Sequence, residues 1–164
     1  MIRRIKACLN GGRARGEHPA VPVTPAELAV AAAQAVAAGA EAVHVHPRGA
    51  DGAESLDPAD IGAAVAAVRA SCPGTPVGVS TGLWITGGDV ARRHATVARW
   101  ADLGADQRPS FASVNVGEDG FAELVTLLRG AGVGVEAGTE GESGPRPGHP
   151  TTQRASVCKR ITRL

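Results

Sequence analysis

Along the chain to about residue 138, short apolar runs rich in Val and Ala alternate with longer stretches of helical periodicity. The repeat is roughly 35 residues, the spacing of βα units that build parallel sheets. The pattern predicts five strands: Ile5 to Leu9, Ala42 to His46, Val77 to Ser80, Ala112 to Asn115 and Val133 to Glu136. Helices are expected from Pro25 to about Ala38, from Pro58 to the Pro73-Gly74 break, from about Asp89 to Leu103, and from about Phe121 to Arg129. The fifth strand lacks a following helix.

The helix starts carry their own signals. In Thr24-Pro25-Ala26-Glu27, Thr24 can cap, Pro25 suits the first turn, and Glu27 can reach back to close a capping box. Gly39 supplies the left-handed stop. Asp57-Pro58 repeats the cap-then-proline logic. From Thr139 onward neither period is present, and the run Gly144-Pro145-Arg146-Pro147-Gly148 leads into a basic polar end. The expected division is therefore a partial (β/α) barrel over residues 1–138 and an irregular, disordered tail over 139–164. An eight-stranded barrel needs about 250 residues, so the fold class is α/β, an incomplete (β/α)8 TIM-type barrel of about five βα strands. An open arc of this kind leaves unpaired backbone at its edges.

Composition narrows the functional classes. The 17 basic and 16 acidic residues give a formal net charge of +1 and are interspersed, so no polybasic stripe favours nucleic acid. Aromatics make up 2% of the chain, which leaves the core to Ala, Val, Leu and Ile. The apolar stretch from Leu28 to Ala38 is too short to span a bilayer and has no cleavage site after it, so no membrane role and a cytoplasmic location are expected. Cys8, Cys72 and Cys158 form neither a disulfide framework nor a structural zinc motif, and Cys8 is expected to pack as a small hydrophobe in its strand. Gly11-Gly12 and Gly87-Gly88 fit neither dinucleotide nor phosphate-loop spacing.

The candidate chemistry sits at strand ends. Side chains alternate across a strand, so His44 and His46 project to one side while Val43 and Val45 face the other. In a parallel barrel the ends that lead into helices line the catalytic face, and neutral imidazoles are good zinc ligands. The same pair is also compatible with one hydrogen-bonded core histidine and one at the strand mouth. Other polar residues occupy equivalent places: Asn10, Ser80, Thr81, Ser113, Asn115 and Glu136. Asn10 and Thr81 can equally satisfy loop amides. Ser113 and Asn115 share a face at i and i+2, and Glu136 has open a metal, an ammonium group or solvent as partner. Arg13, Arg15 and Glu17 lie in a first loop long enough to act as a lid.

Taken together, these residues resemble a family. Asn10-Gly11-Gly12, the run from Glu17 to Glu27, His44-Val45-His46-Pro47-Arg48, Val79-Ser80-Thr81-Gly82 and Ala112-Ser113-Val114-Asn115 are similar, in order, to the 3-keto-5-aminohexanoate cleavage enzymes, or β-keto acid cleavage enzymes. The resemblance covers about residues 5 to 138. It implies a zinc-dependent acyltransferase of TIM-barrel type, with acetyl-CoA as co-substrate and a place in lysine degradation. A β-keto acid and acetyl-CoA would be exchanged for acetoacetate and a new acyl-CoA. By that resemblance His44 and His46 hold the metal, Ser80 and Ser113 help bind the substrate carboxylate, and Asn115 lines the pocket. A homo-oligomer is also expected.

The chain departs from the family in two places. Gly12 stands where some members carry a glutamate. The late-strand glutamate that completes the metal site, with its acidic neighbour and arginine, has no counterpart, so the catalytic acid and base are unassigned. A truncated or frame-shifted reading frame would produce the change of composition after Gly138 and leave a weakly active or inactive chain. Two other classes fit the same residues: a small α/β half-barrel that binds or dimerises without catalysis, and another metal-assisted lyase or hydrolase.

Overall fold

The computed structural model describes residues 5–138, so the tail expected over 139–164 lies outside the described residues. Five strands, β1 (Lys6–Cys8), β2 (Ala42–Val45), β3 (Val77–Ser80), β4 (Phe111–Asn115) and β5 (Gly134–Gly138), pair in sequential order, and every pair is parallel. Four helices connect them: α1 (Pro25–Ala37), α2 (Pro58–Ser71), α3 (Val90–Ala98) and α4 (Phe121–Gly130). Consecutive parallel strands with helical crossovers are the wall of a (β/α) barrel, as the periodicity predicts.

The helix ends form for the anticipated reasons. Thr24 Oγ1 accepts from Glu27 N at 3.3 Å while the Glu27 carboxylate accepts from Thr24 N at 2.9 Å, which closes the capping box. Gly39, at φ 103°, stops α1. Asp57 caps α2 through Ala59 N at 2.9 Å, and Asp89 caps α3 through Arg92 N at 2.9 Å.

Two expectations are corrected. The third helix is not continuous to Leu103: it ends at Ala98 and tightens into a 3₁₀ turn, Arg99–Asp102. That turn carries Trp100, fully buried, with its indole N–H donating to the Leu56 carbonyl at 2.9 Å. Cys8 does not pack as a core hydrophobe. It is exposed because β1 is an edge strand.

Helices cover one face of the sheet. Val43, Val45, Val77, Val79, Ala112 and Val114 are buried there with Leu28, Ile61, Val65, Leu124 and Leu128. The opposite face is curled. In a flat parallel sheet β1 and β5 would lie about 19 Å apart, beyond the reach of two side chains. Yet Lys6 on β1 and Glu136 on β5 form an ion pair, each with a side chain 6% exposed. The sheet is therefore an arc, and this pair is its chord. No helix among the described residues is long and apolar enough to cross a membrane.

Phe111 fills the floor of the arc over Gly78, where an added Cβ would meet its ring carbon at 2.0 Å. Replacing Gly78→Ala is expected to cost about 1–3 kcal/mol through forced displacement of the ring. Combining it with Phe111→Leu should relieve much of that overlap, so denaturant unfolding of the double variant is expected to show less loss than the sum of the singles. Additive losses would contradict the close packing.

Candidate functional site

Register sorts the inward side chains into rows, because residues paired across a parallel ladder share a face. Cys8, His44, Gly78, Phe111 and Gly134 form one row. Ser80, Ser113 and Glu136 form the next, toward the strand ends. Continuing the β2–β3 register by one residue sets His46 level with Ser80. The arc thus gathers His44, His46, Ser80, Ser113 and Glu136 on the face that the helices leave bare.

His46 was expected inside the second strand but lies one residue past its end. Its main chain pairs instead with a side chain. Asn10 Oδ1 accepts from His46 N and Asn10 Nδ2 donates to His46 O, both at 2.8 Å. The carboxamide copies a strand neighbour and prolongs the ladder from the β1 side. Asn10 is 5% exposed, so these bonds are shielded from water.

The ring of His46 is fixed separately. Its Nδ1 donates to Glu54, whose other oxygen accepts from Trp84 Nε1 at 2.9 Å. Glu54 reaches back because the chain after His46 folds into a small hairpin. Gly49 N bonds Ala53 O at 2.9 Å, Ser55 N bonds Pro47 O at 2.9 Å, and Gly52 turns the tip at φ 80°. Burial would raise the Glu54 pKa, but hydrogen bonds from His46 and Trp84, with the charges of His46 and Arg48, hold it below the usual carboxylate value. Arg48 in turn donates to the carbonyls of Gly11 and Arg13, at 2.7 and 2.9 Å, and ties down the first loop.

His44 differs from its neighbour. Burial, then the positive charges of His46 and Lys6, lower its pKa from 6.5 to about 3, so the ring is neutral near pH 7. Its Nδ1 is buried without a hydrogen-bond partner among the described residues. Leaving such an atom unsatisfied costs about 1–3 kcal/mol. The two rings meet edge to face with centroids 5.2 Å apart. A neutral imidazole with an orphaned nitrogen beside a second, oriented imidazole fits the donor set of a divalent metal. Among the described residues no third His, Cys, Asp or Glu stands close enough to complete it.

The other anticipated residues divide by what engages them. Ser80 is 2% exposed and its hydroxyl oxygen accepts weakly from Gly82 N at 3.4 Å. Thr81, fully buried, donates to the Ser113 carbonyl at 2.6 Å and so laces β3 to β4. Asn115 donates to Glu118 at 2.7 Å, and Glu118 also accepts from Leu83 N and pairs with the buried Arg93. Arg13 and Glu17 are exposed, with Glu17 accepting from Ala14 N.

Lys6, Glu54, Trp84, Arg93 and Glu118 were not anticipated. A lysine inside a predicted buried strand was a readable signal for the first. Glu54, Trp84 and Glu118 lie in connections between elements and Arg93 lies in α3, and all four meet the site only through folding.

A family model described as beta-keto acid cleavage enzyme matches residues 4–152. A 3-keto-5-aminohexanoate cleavage enzyme from Fusobacterium nucleatum is 36% identical over 93 residues, which are 56% of this chain and 34% of that protein. Among solved structures, apo ObcA superposes with a TM-score of 0.56 at 20% identity, covering 73% of this chain and 30% of ObcA. The binary complex of ObcA with oxaloacetate gives 0.55 at 21% identity, with 73% and 31% covered. Likeness at that identity shows the fold alone. The chain spans about a third of the length of these relatives.

The His44 environment sets a pH dependence. A folded pKa below the unfolded one means that the unfolded chain binds the extra proton first. The stability contributed by neutral His44 is therefore complete above about 6.5 and declines as pH falls toward about 3. Urea unfolding across that window should show a steeper loss for the parent protein than for His44→Gln. Parallel curves would remove His44 as the cause.

Proposed function

The chain belongs to the beta-keto acid cleavage enzyme family, and from that premise we propose that the bare face of its sheet binds a β-keto acid beside a zinc ion held by His44 and His46. The observation that carries this is the buried His44 Nδ1 with no partner, adjacent to a His46 ring already oriented by a carboxylate. Bound there, zinc supplies a Lewis acid for the ketone oxygen, where negative charge develops during carbon–carbon bond exchange.

The chain's own residues handle the remainder of the substrate. Ser80 and Ser113 sit side by side in register, level with His46, and their hydroxyls can donate to the carboxylate of the keto acid. Lys6, 5.5 Å from the centroid of the Phe111 ring, and Glu136 form a buried ion pair on the same face, which offers an ammonium group to a substrate carboxylate and a carboxylate to a substrate ammonium group without net charge. Asn115, held by Glu118, borders the same row one step further out. Neutral His44 needs no proton removed before it donates a lone pair.

The 36% identity to a 3-keto-5-aminohexanoate cleavage enzyme supports that keto acid as the substrate class, and the co-substrate in this reading is acetyl-CoA, which gives up its acetyl group while its CoA takes the new acyl group. The products would be acetoacetate and a new acyl-CoA. With two imidazoles as the protein donors, zinc is bound weakly and a chelator removes it.

Two measurements test this reading. After loading and dialysis, the parent protein is expected to retain more zinc than His44→Ala, and equal content in both would sink the metal assignment. Acetoacetate should then form only when β-keto acid and acetyl-CoA are both present. Cleavage that proceeds equally without acetyl-CoA would replace acyl transfer with hydrolysis.

A further inference from the structure

The hydrogen bonds around His46 run through two loops and end on an exposed tryptophan. Trp84 is 52% exposed, so burial does not explain its position. Its ring lies flush on Gly82, where an added Cβ would come within 2.1 Å of Cη2. Only a glycine leaves room for the ring there. Its indole N–H points to Glu54, 30 residues earlier in the chain, at 2.9 Å. The His46 and Glu54 side chains are 12% and 13% exposed, so their contact is largely shielded from solvent.

A carboxylate that accepts on one oxygen from an indole N–H and on the other from an imidazole has both oxygens directed. An ionised carboxylate has no proton to give, so the shared hydrogen sits on His46 Nδ1. The imidazole's remaining nitrogen, Nε2, is then the one left to face a ligand. The β3–α3 connection that carries Trp84 is itself anchored: Leu83 N donates to Glu118 at 3.1 Å, and Glu118 pairs with buried Arg93.

We propose that Glu54 is the positioning residue of His46 and that Trp84 is its strut, so that the β3–α3 connection fixes which nitrogen of His46 faces the sheet and in what direction. The inference rests on the reading of His46 as a metal donor for its consequence, though not for its geometry. Carboxylate partners of ligating histidines raise ligand basicity and lock the ring, and their loss commonly lowers metal affinity 10- to 100-fold. Trp84 acts one bond further out, so its removal should cost less.

The test has two arms. In the first, metal-free protein is followed by ¹⁵N NMR of the histidine rings at about pH 8, well above the ordinary histidine pKa. The parent His46 should show the Nδ1–H tautomer. Glu54→Ala should shift it toward Nε2–H, and Glu54→Gln, which still offers an amide oxygen, should recover much of the parent signal. Trp84→Phe should broaden or partly shift it. In the second arm, zinc affinity is measured by chelator competition. Glu54→Ala is expected to bind 10- to 100-fold more weakly, Trp84→Phe a few-fold more weakly, and Glu54→Gln between the two.

Unchanged ring signals in Glu54→Ala, with circular dichroism of the parent fold, would overturn the positioning role whatever the zinc result. Shifted signals with parent-like zinc affinity would overturn its consequence for the metal. If the parent protein binds no zinc, the metal reading fails alone, and the NMR arm still decides whether Glu54 sets the tautomer. Should Glu54→Ala not fold, Trp84→Phe carries the NMR arm and Glu54→Gln with Trp84→Phe carry the zinc arm, and a parent-like ring signal in Trp84→Phe with parent-like zinc affinity in both variants would refute the proposal.

Discussion

The ion pair between Lys6 and Glu136 spans the two edge strands, and the rest of the site depends on the curvature it reveals. A flat sheet would hold β1 and β5 too far apart for any side chain to join them. Curling brings the inward rows together and turns a series of unrelated strand-end residues into one surface. Helices pack only on the outer face, where valines and alanines supply the contact. The inner face is thereby left to polar groups, and each of these needs a partner or a ligand.

Most find a partner within the protein. Asn10 pairs with the main chain of His46, Thr81 with Ser113, and Asn115 with Glu118. The first two of these bonds join neighbouring strand ends, and the third closes the turn after β4. The buried Nδ1 of His44 is unmatched among the described residues, as are the buried Nε atoms of Arg48, Arg93 and Arg108, but those three guanidinium groups bond through their terminal nitrogens. An unmatched imidazole nitrogen beside a second, oriented imidazole is a reason to place a ligand there, because natural structures rarely leave such atoms idle.

The two histidines illustrate how one fold tunes identical side chains differently. Burial and neighbouring positive charge keep His44 neutral. His46 is instead held by a carboxylate whose own ionisation is favoured by the indole and by Arg48. One ring is prepared by desolvation and the other by orientation. Membership of the beta-keto acid cleavage family gives these environments a chemical context without fixing the substrate of this chain.

The amino-acid sequence by itself determined the five-strand parallel plan, the four helix starts, the shared side of His44 and His46, and the placing of Ser80, Ser113 and Glu136 at equivalent strand ends. These follow from local rules: a period of two in strands, capping residues before prolines, and the equivalence of strand ends in a parallel sheet. The break of the third helix at Ala98 was not legible, because it serves a hydrogen bond from Trp100 to Leu56, far away in the chain. The exposure of Cys8 depends on which strands lie at the edge. Glu54, Trp84 and Lys6 entered the site only through tertiary structure. A hairpin folds Glu54 back over His46, Trp84 arrives from the next loop, and Lys6 meets Glu136 across 130 residues of sequence. Local pattern says which side of a strand a residue faces; only closure of the arc and the folding of loops over it decide what that residue touches.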